Sequence, residues 1–235
     1  MTATLLTLAQ RLVRRLALST EPTLVIGSTD PGIKQIRELF QEEGDSLVKR
    51  HDWSGLITSW TMTITGSPTL VAFLSDYERL NQDARLYRSG SKYTPLNGPV
   101  RPDDWQYLVN VAGTYPGYWR IFGGKLQILG VSSNETVATE YLSKNWILDA
   151  DGVTTKAEWA SDTDTTRFFR DDLMLAGLRW RWRQMKGLEY GEDMETYERI
   201  LEVAIAEDRS ARSVSTARTM PLMTYPNTWP GTITP

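Results

Sequence analysis

The sequence has no cysteine and a single histidine, His51. Without cysteine there is no disulfide framework and no thiolate chemistry, which favours an intracellular origin. With one imidazole and no thiol, a zinc centre lacks its ordinary ligands. A Ser-His-Asp site would need His51, but the chain has no G-x-S-x-G elbow, so His51 reads as a capping or surface residue. An excess of one charge is also missing. Lys and Arg number 26 against 29 Asp and Glu, a net charge of −3, so the chain as a whole has no electrostatic footprint for nucleic acid. No apolar run approaches the roughly 20 residues that cross a membrane. The basic N-terminal stretch TLLTLAQRLVRRLAL (4–18) is interrupted by Gln10, Arg11, Arg14 and Arg15, unlike a signal peptide.

A complete nucleotide loop is absent as well. In LVIGSTDPGIKQI (24–36), Gly27 and Gly32 have the G-x-x-x-x-G spacing, but Ile33 and Lys34 follow where Lys and Ser or Thr are required. The lysine is displaced by about 100° around a helix, no hydroxyl is left for magnesium, and Pro31 removes a backbone N–H. The stretch reads instead as a helix start. Thr29 or Asp30 is the cap, Pro31 takes the first position, and Ile33, Ile36, Leu39 and Phe40 form the apolar stripe.

The chain contains 235 residues, enough for one large domain or two small ones, and nine tryptophans and ten tyrosines that suit cores and interfaces alike. A first helix is expected over 4–18, with Leu5, Leu8, Leu12 and Leu16 on one face, and a second over about 31–50. From 57 to 159 the period shifts toward that of strands. SWTMTIT (59–65) alternates, Leu70 to Leu80 is ambiguous between strand and short helix, and YWRIFGGKLQIL (118–129) reads as a hairpin around Gly123-Gly124. TVATEYLSKNWIL (136–148) reads as one long strand, with Ala138, Leu142 and Trp146 preferred as its core parity. Helical periodicity returns in RFFRDDLMLAGLRWRWRQMKGL (167–188) and EDMETYERILEVAIAEDRSA (192–211), where Met194, Tyr197, Leu201 and Ala204 share a face. The expected fold class is α+β. Residues 1–56 and 160–212 form a discontinuous helical bundle, 57–159 an inserted β-rich module, and 213–235 an extended C-terminal arm.

Acidic pairs do not single out a reaction. Asp149-Ala150-Asp151 and Asp162-Thr163-Asp164 are two such pairs; a calcium loop starting at Asp162 would need Gly at 167 and Glu at 173, where Arg167 and Leu173 stand. Asp151-Gly152 reads as a turn and Asp164 as the cap of the following helix. A carboxylate pair assembled in three dimensions stays open on spacing alone.

The Arg-Trp alternation in LRWRWRQMK (178–186) carries more. Trp180 and Trp182 lie about 200° apart on a helix, so the helix is sandwiched between neighbours. Those neighbours belong to the same subunit or to the next, with Arg179, Arg183 and Lys186 facing acids such as Glu192 and Asp193. The last stretch has prolines at 221, 226, 230 and 235 that forbid a helix, yet Leu222, Met223, Tyr225 and Trp229 are costly to leave in water. A docking arm that orders on a partner accounts for them.

Taken in order, the helix entering HDWSGL (51–56), FLSDYERL (73–80), YWRIFGGKLQILG (118–130), EYLSKNWI (140–147) and WASDTDTTRFFRDDLMLAGLRWRWRQMKGLEY (159–190) resemble the head-to-tail adaptor proteins of short-tailed bacteriophages, the tail tubular protein A group. The resemblance spans roughly residues 30–208 and rests on order and spacing, not on one motif. It implies a structural virion protein in the neck, a dodecameric ring beneath the portal, with a β-rich tip toward the tail nozzle, a C-terminal arm on the portal and a lumen that passes double-stranded DNA without reading it. On this reading Trp180, Trp182, Arg179 and Arg183 serve the subunit interface. Arg212, Arg218, Leu222, Tyr225 and Trp229 meet the portal, and Arg85, Arg88, Lys92, Tyr93 and Arg101 the nozzle. No catalytic residue, cofactor, metal or membrane contact is expected. Two rival readings are a phage-borne glycan hydrolase with paired carboxylates and a single-strand nucleic-acid module built on the basic stretch with Tyr87, Tyr93 and Trp105.

Overall fold

A computed structural model describes residues 3–18, 21–81, 84–89, 91–110, 117–167 and 169–210; the side chains of 91–94, 209 and 210 lie outside the description. The chain is mixed helix and antiparallel sheet. It begins with α1 (Leu5–Arg15) and α2 (Pro31–Arg50). Thr4 caps α1 by accepting from the Thr7 amide at 3.3 Å. Asp30 caps α2 through Oδ1, which accepts from the Gly32 and Ile33 amides at 2.6 and 3.1 Å, with Pro31 in the first turn. The amides a phosphate would need are thus turned to the cap, the helix start expected from the sequence.

Strands follow: β1 (Ile57–Thr63), β2 (Thr69–Ala72), β3 (Tyr77–Leu80), β4 (Tyr87–Arg88) and β5 (Ser91–Pro95). The ambiguous 70–80 stretch is therefore two strands. Next come α3 (Pro102–Asn110), β6 (Tyr118–Phe122) and β7 (Lys125–Leu129). Sequence periodicity missed α3, a short helix set among glycine and proline; Pro102 opens it and Asp103 and Asp104 occupy its first turn. The β6–β7 hairpin stands as expected, with Gly123 and Gly124 at φ +57° and +68°, the left-handed pair that a tight two-residue turn demands.

The 136–148 stretch is not one strand. It divides into β8 (Thr136–Ser143) and β9 (Ile147–Leu148). The Lys144 amide leaves the ladder to bond the Asp76 carbonyl at 2.8 Å, and Ser143 Oγ accepts from the Asn145 amide at 3.1 Å, which turns the chain. The preferred parity is also corrected. Val137, Thr139, Tyr141 and Ser143 are buried and Ala138 is exposed, while Leu142 and Trp146 are buried in a different cluster. β8 has a core on each face in turn, so alternation along its sequence does not reveal which residues face inward.

The chain continues through β10 (Thr155–Lys156) and β11 (Thr165–Thr166) to α4 (Asp171–Met185) and α5 (Gly191–Ser210). β8 is the centre of one sheet: β1 pairs along one edge, and β3 and β4 share the other. A second sheet has the order β2–β7–β6, and a third β10–β9–β11. α4 starts at Asp171, later than its periodicity suggests, and Asp164 does not cap it: that buried carboxylate accepts from the Ala160 and Ser161 amides and pairs with Lys156 at 2.9 Å. Gly187 ends the helix at φ +68°.

Buried apolar side chains gather in two clusters. One unites α1, α2, α4 and α5 with Trp53, Trp146, Trp159 and Phe169. The other lies among the strands, around Trp60, Met62, Trp119, Ile128 and Tyr141. Every tryptophan among the described residues is buried.

Candidate functional site

α4 is the pivot of the helices, packing on α1, α2 and α5. Gly177 lets α2 approach so closely that a methyl group there would overlap the Glu43 carboxylate. Glu43 is fully buried, and Arg181 bridges it and Glu42, with Nε and Nη1 each 2.6 Å from a carboxylate oxygen. The guanidinium also stacks 4.7 Å over the Trp180 ring. Burial pushes the Glu43 carboxyl up, against the opposing pull of Arg181 and the nearby Tyr197. Tyr197 is itself raised by burial and by Glu43, although its hydroxyl and Glu43 Oε1 both lie outside hydrogen-bond geometry. Nothing in the spacing of Glu43, Arg181 and Tyr197 signals this cluster, because Glu43 on α2 is remote in sequence from Arg181 on α4 and Tyr197 on α5.

The expected interface aromatics are covered by their own chain. Trp180 and Trp182 are 8% and 6% exposed. Trp180 meets Tyr190 and Tyr197, and Lys186 caps the Trp182 face at 4.7 Å. The sandwich inferred from the 200° offset is present within one subunit, which leaves little of either ring for a neighbour. Arg179 and Arg183 converge on Asp193 of the same chain, at 3.1 and 2.9 Å. Met194, expected on the face of Tyr197, Leu201 and Ala204, is exposed, as are Met185 and Leu188 near the α4–α5 turn.

The basic stretch does not gather into one site. Arg88 forms a two-pronged pair with Glu135 at 2.8 and 3.0 Å, both side chains nearly covered. Trp105 is buried, with Arg120 stacked 4.5 Å over it; Arg120 also lies 4.6 Å from the Phe122 ring and bonds Gln127 at 2.8 Å. Arg85, Tyr87 and Arg101 are exposed. Arg101 borders an open depression with Tyr107 and Tyr118. The side chains of Lys92 and Tyr93, and all of Arg212, Arg218, Leu222, Tyr225 and Trp229, lie outside the described residues.

Apolar surface collects elsewhere. On the β2–β7–β6 sheet, Leu70 and Phe122 occupy one face with Arg120 and Gln127. They are 51% and 54% exposed, and Ile121 beside the turn is also half open. The sequence signal for this patch was available: the hairpin alternation puts Phe122 on the face of Arg120.

The remaining polar candidates have structural partners. His51 is mostly covered rather than exposed, and its Nε2 lies 2.9 Å from Asp208, which also accepts from Ser54. Asp151 organises a turn through the Val153 and Thr154 amides, as expected; the Thr154 hydroxyl, and then those amides, hold its carboxyl below the ordinary range. Lys156 does the same for Asp149. Asp162 accepts from the Val25 and Ile26 amides. Among the described residues no group of three or more His, Cys, Asp or Glu is arranged to hold a metal, and no helix is long and apolar enough to cross a membrane. No protein-family model matches the chain, and no curated protein matches it either.

Proposed function

We propose that the chain is a head-to-tail adaptor: a structural subunit that assembles with copies of itself into a ring, dodecameric by resemblance, between a portal and a tail nozzle in a virion neck. In this reading 1–56 and 160–212 make the helical ring domain, 57–159 the tip and 213–235 the portal arm, and double-stranded DNA passes through the lumen. The observation that carries it is where exposed apolar side chains lie: Leu70 and Phe122 on one face of the sheet, Ile121 on its other face beside the turn, and Met185, Leu188 and Met194 at or near the helical turn. Large apolar side chains left open on a shared face, as Leu70 and Phe122 are, mark protein contact surfaces. The ordered resemblance of residues 30–208 supplies the assembly class.

The rival readings have less support. Arg88 and Trp105, which a single-strand site would need open, pair with Glu135 and stack under Arg120. The acidic pairs that a hydrolase would use each order their own turn or accept from neighbouring amides.

The test is the mass of the purified full-length protein alone and mixed with a candidate portal, with a variant lacking 213–235 measured beside it. A ring-sized species that binds the portal through 213–235 is expected. A protein that stays monomeric with the portal, or that turns over a glycan, overturns the reading.

A further inference from the structure

Arg11 of α1 reaches Asp171 on α4 at 2.9 Å, and Tyr197 of α5 meets Trp180 with ring centroids 6.1 Å apart. At about 100° per residue, positions 171 and 180 lie about 180° apart around α4. α1 and α5 therefore flank opposite sides of the central helix, and each keeps an outer face that no described element covers. The two faces differ in charge. On α1 the outer stripe is Arg14 and Arg15, beside the Arg11 that pairs with α4, with exposed Leu18 just beyond the helix. On α5 it is Glu192, Glu195, Arg199 and Glu202, with exposed Val203. Arg15, Glu195 and Glu202 make no ion pair among the described residues, whereas Arg14 holds an exposed ion pair of 3.2 Å to Glu21 and donates to the Gln10 carbonyl at 3.3 Å.

A closed ring uses heterologous contacts, in which one surface of a subunit meets a different surface of the next. Building on the adaptor reading above, we infer that the basic outer face of α1 docks on the acidic outer face of α5 of a second copy of this chain, with Leu18 at the end of the one face and Val203 on the other as its apolar contacts. This relocates the subunit contact from Trp180 and Trp182, which the chain already buries, to the two helix faces it leaves open. The occupant follows from charge: a basic stripe on one flank fits the acidic stripe that every copy carries on the other. Complementary charge sets register and orientation, and such contacts weaken as salt screens them.

The experiment measures the mass of the full-length protein, alone and with a portal, over a salt series. Three variants are compared: R14E/R15E, E195R/E202R, and the four substitutions together. Each charge reversal is expected to lower ring association about tenfold or more, and the fourfold variant to recover most of that loss because every contact is again complementary. Thermal melts control for folding. Should a double variant unfold, Arg15→Glu and Glu202→Arg, each at a residue with no ion pair among the described residues, replace it. Rings unaffected by either reversal, or not recovered by the combined variant, overturn this interface while leaving the adaptor reading intact. A protein that forms no ring even with the portal overturns both.

Discussion

Gly177 of α4 faces the buried carboxylate of Glu43 on α2, and the space a side chain would fill at 177 is the space that carboxylate occupies. The close approach of the two helices and the ion pair between Glu43 and Arg181 are therefore one feature. Gly177→Ala must displace Glu43 or spread the helices. A loss of about 1–3 kcal/mol is expected, as for other overpacked interiors, measured by urea unfolding of the purified protein. A neutral or stabilising alanine would mean that the helices give way there without strain.

Removing one member of the Glu43–Arg181 pair leaves the other charge in a low-dielectric site. Arg181→Met is expected to destabilise by about 3–5 kcal/mol, whereas Glu43→Met combined with Arg181→Met recovers much of that loss. The double-mutant cycle is the measurement, and simple additivity of the two single effects would argue that the side chains act independently.

Trp180→Ala and Trp182→Ala are expected to cost about 3–5 kcal/mol of subunit stability each, because both rings are covered within the chain. The readout is the melting temperature of the variants at a protein concentration low enough to keep them dissociated. Unchanged melting with loss of assembly would return these residues to the interface that the sequence suggested.

Legibility in the sequence followed local chemistry. Asp30-Pro31 announces α2, and Gly123-Gly124 announces a hairpin, because cap geometry and positive φ restrict those positions to few residue types. α3 was hidden because its nine residues sit between turn formers. The parity of β8 was hidden because Tyr141 and its neighbour Leu142 enter different clusters, so both parities look apolar. Trp180 and Trp182 did predict a helix covered on two sides, but side-chain spacing cannot say whether the cover comes from the same subunit. Long-range pairs such as Glu43 with Arg181 and His51 with Asp208 arise only once the helices pack, and no spacing rule anticipates them.

Tyr141 donates its hydroxyl to Asp76 at 2.9 Å, and burial followed by that carboxylate pushes its ionisation up to about 12. A phenol ordinarily ionises near 10. Since the folded state holds the proton more tightly than the unfolded chain, the contribution is fully present below pH 10 and is lost as pH rises from 10 toward 12. Tyr141→Phe removes both the hydrogen bond and the titration. Its urea midpoint should therefore fall below that of the unsubstituted protein at neutral pH, and the gap should narrow across the alkaline window. A gap of constant size from pH 8 to 12 would show that Tyr141 does not carry the difference.

Phe122 stands beside the β6–β7 turn, more than half exposed, with Arg120 stacked near its ring and Leu70 on the same face two strands away. Its burial within the chain is partial, so Phe122→Ser should cost little stability, about 1 kcal/mol or less. In the adaptor reading the same substitution removes an aromatic anchor from the surface offered to the nozzle, where truncation of a central aromatic costs about 2 kcal/mol or more of binding. Leu70→Ser on the same face should act in the same direction, and Leu188→Ser, at the α4–α5 turn, should not affect this contact. The decisive measurement pairs a thermal melt with nozzle capture by the assembled ring. Capture at full strength by both sheet variants would remove the sheet face from the nozzle contact, and a large drop in melting temperature would instead make Phe122 part of the subunit's own fold.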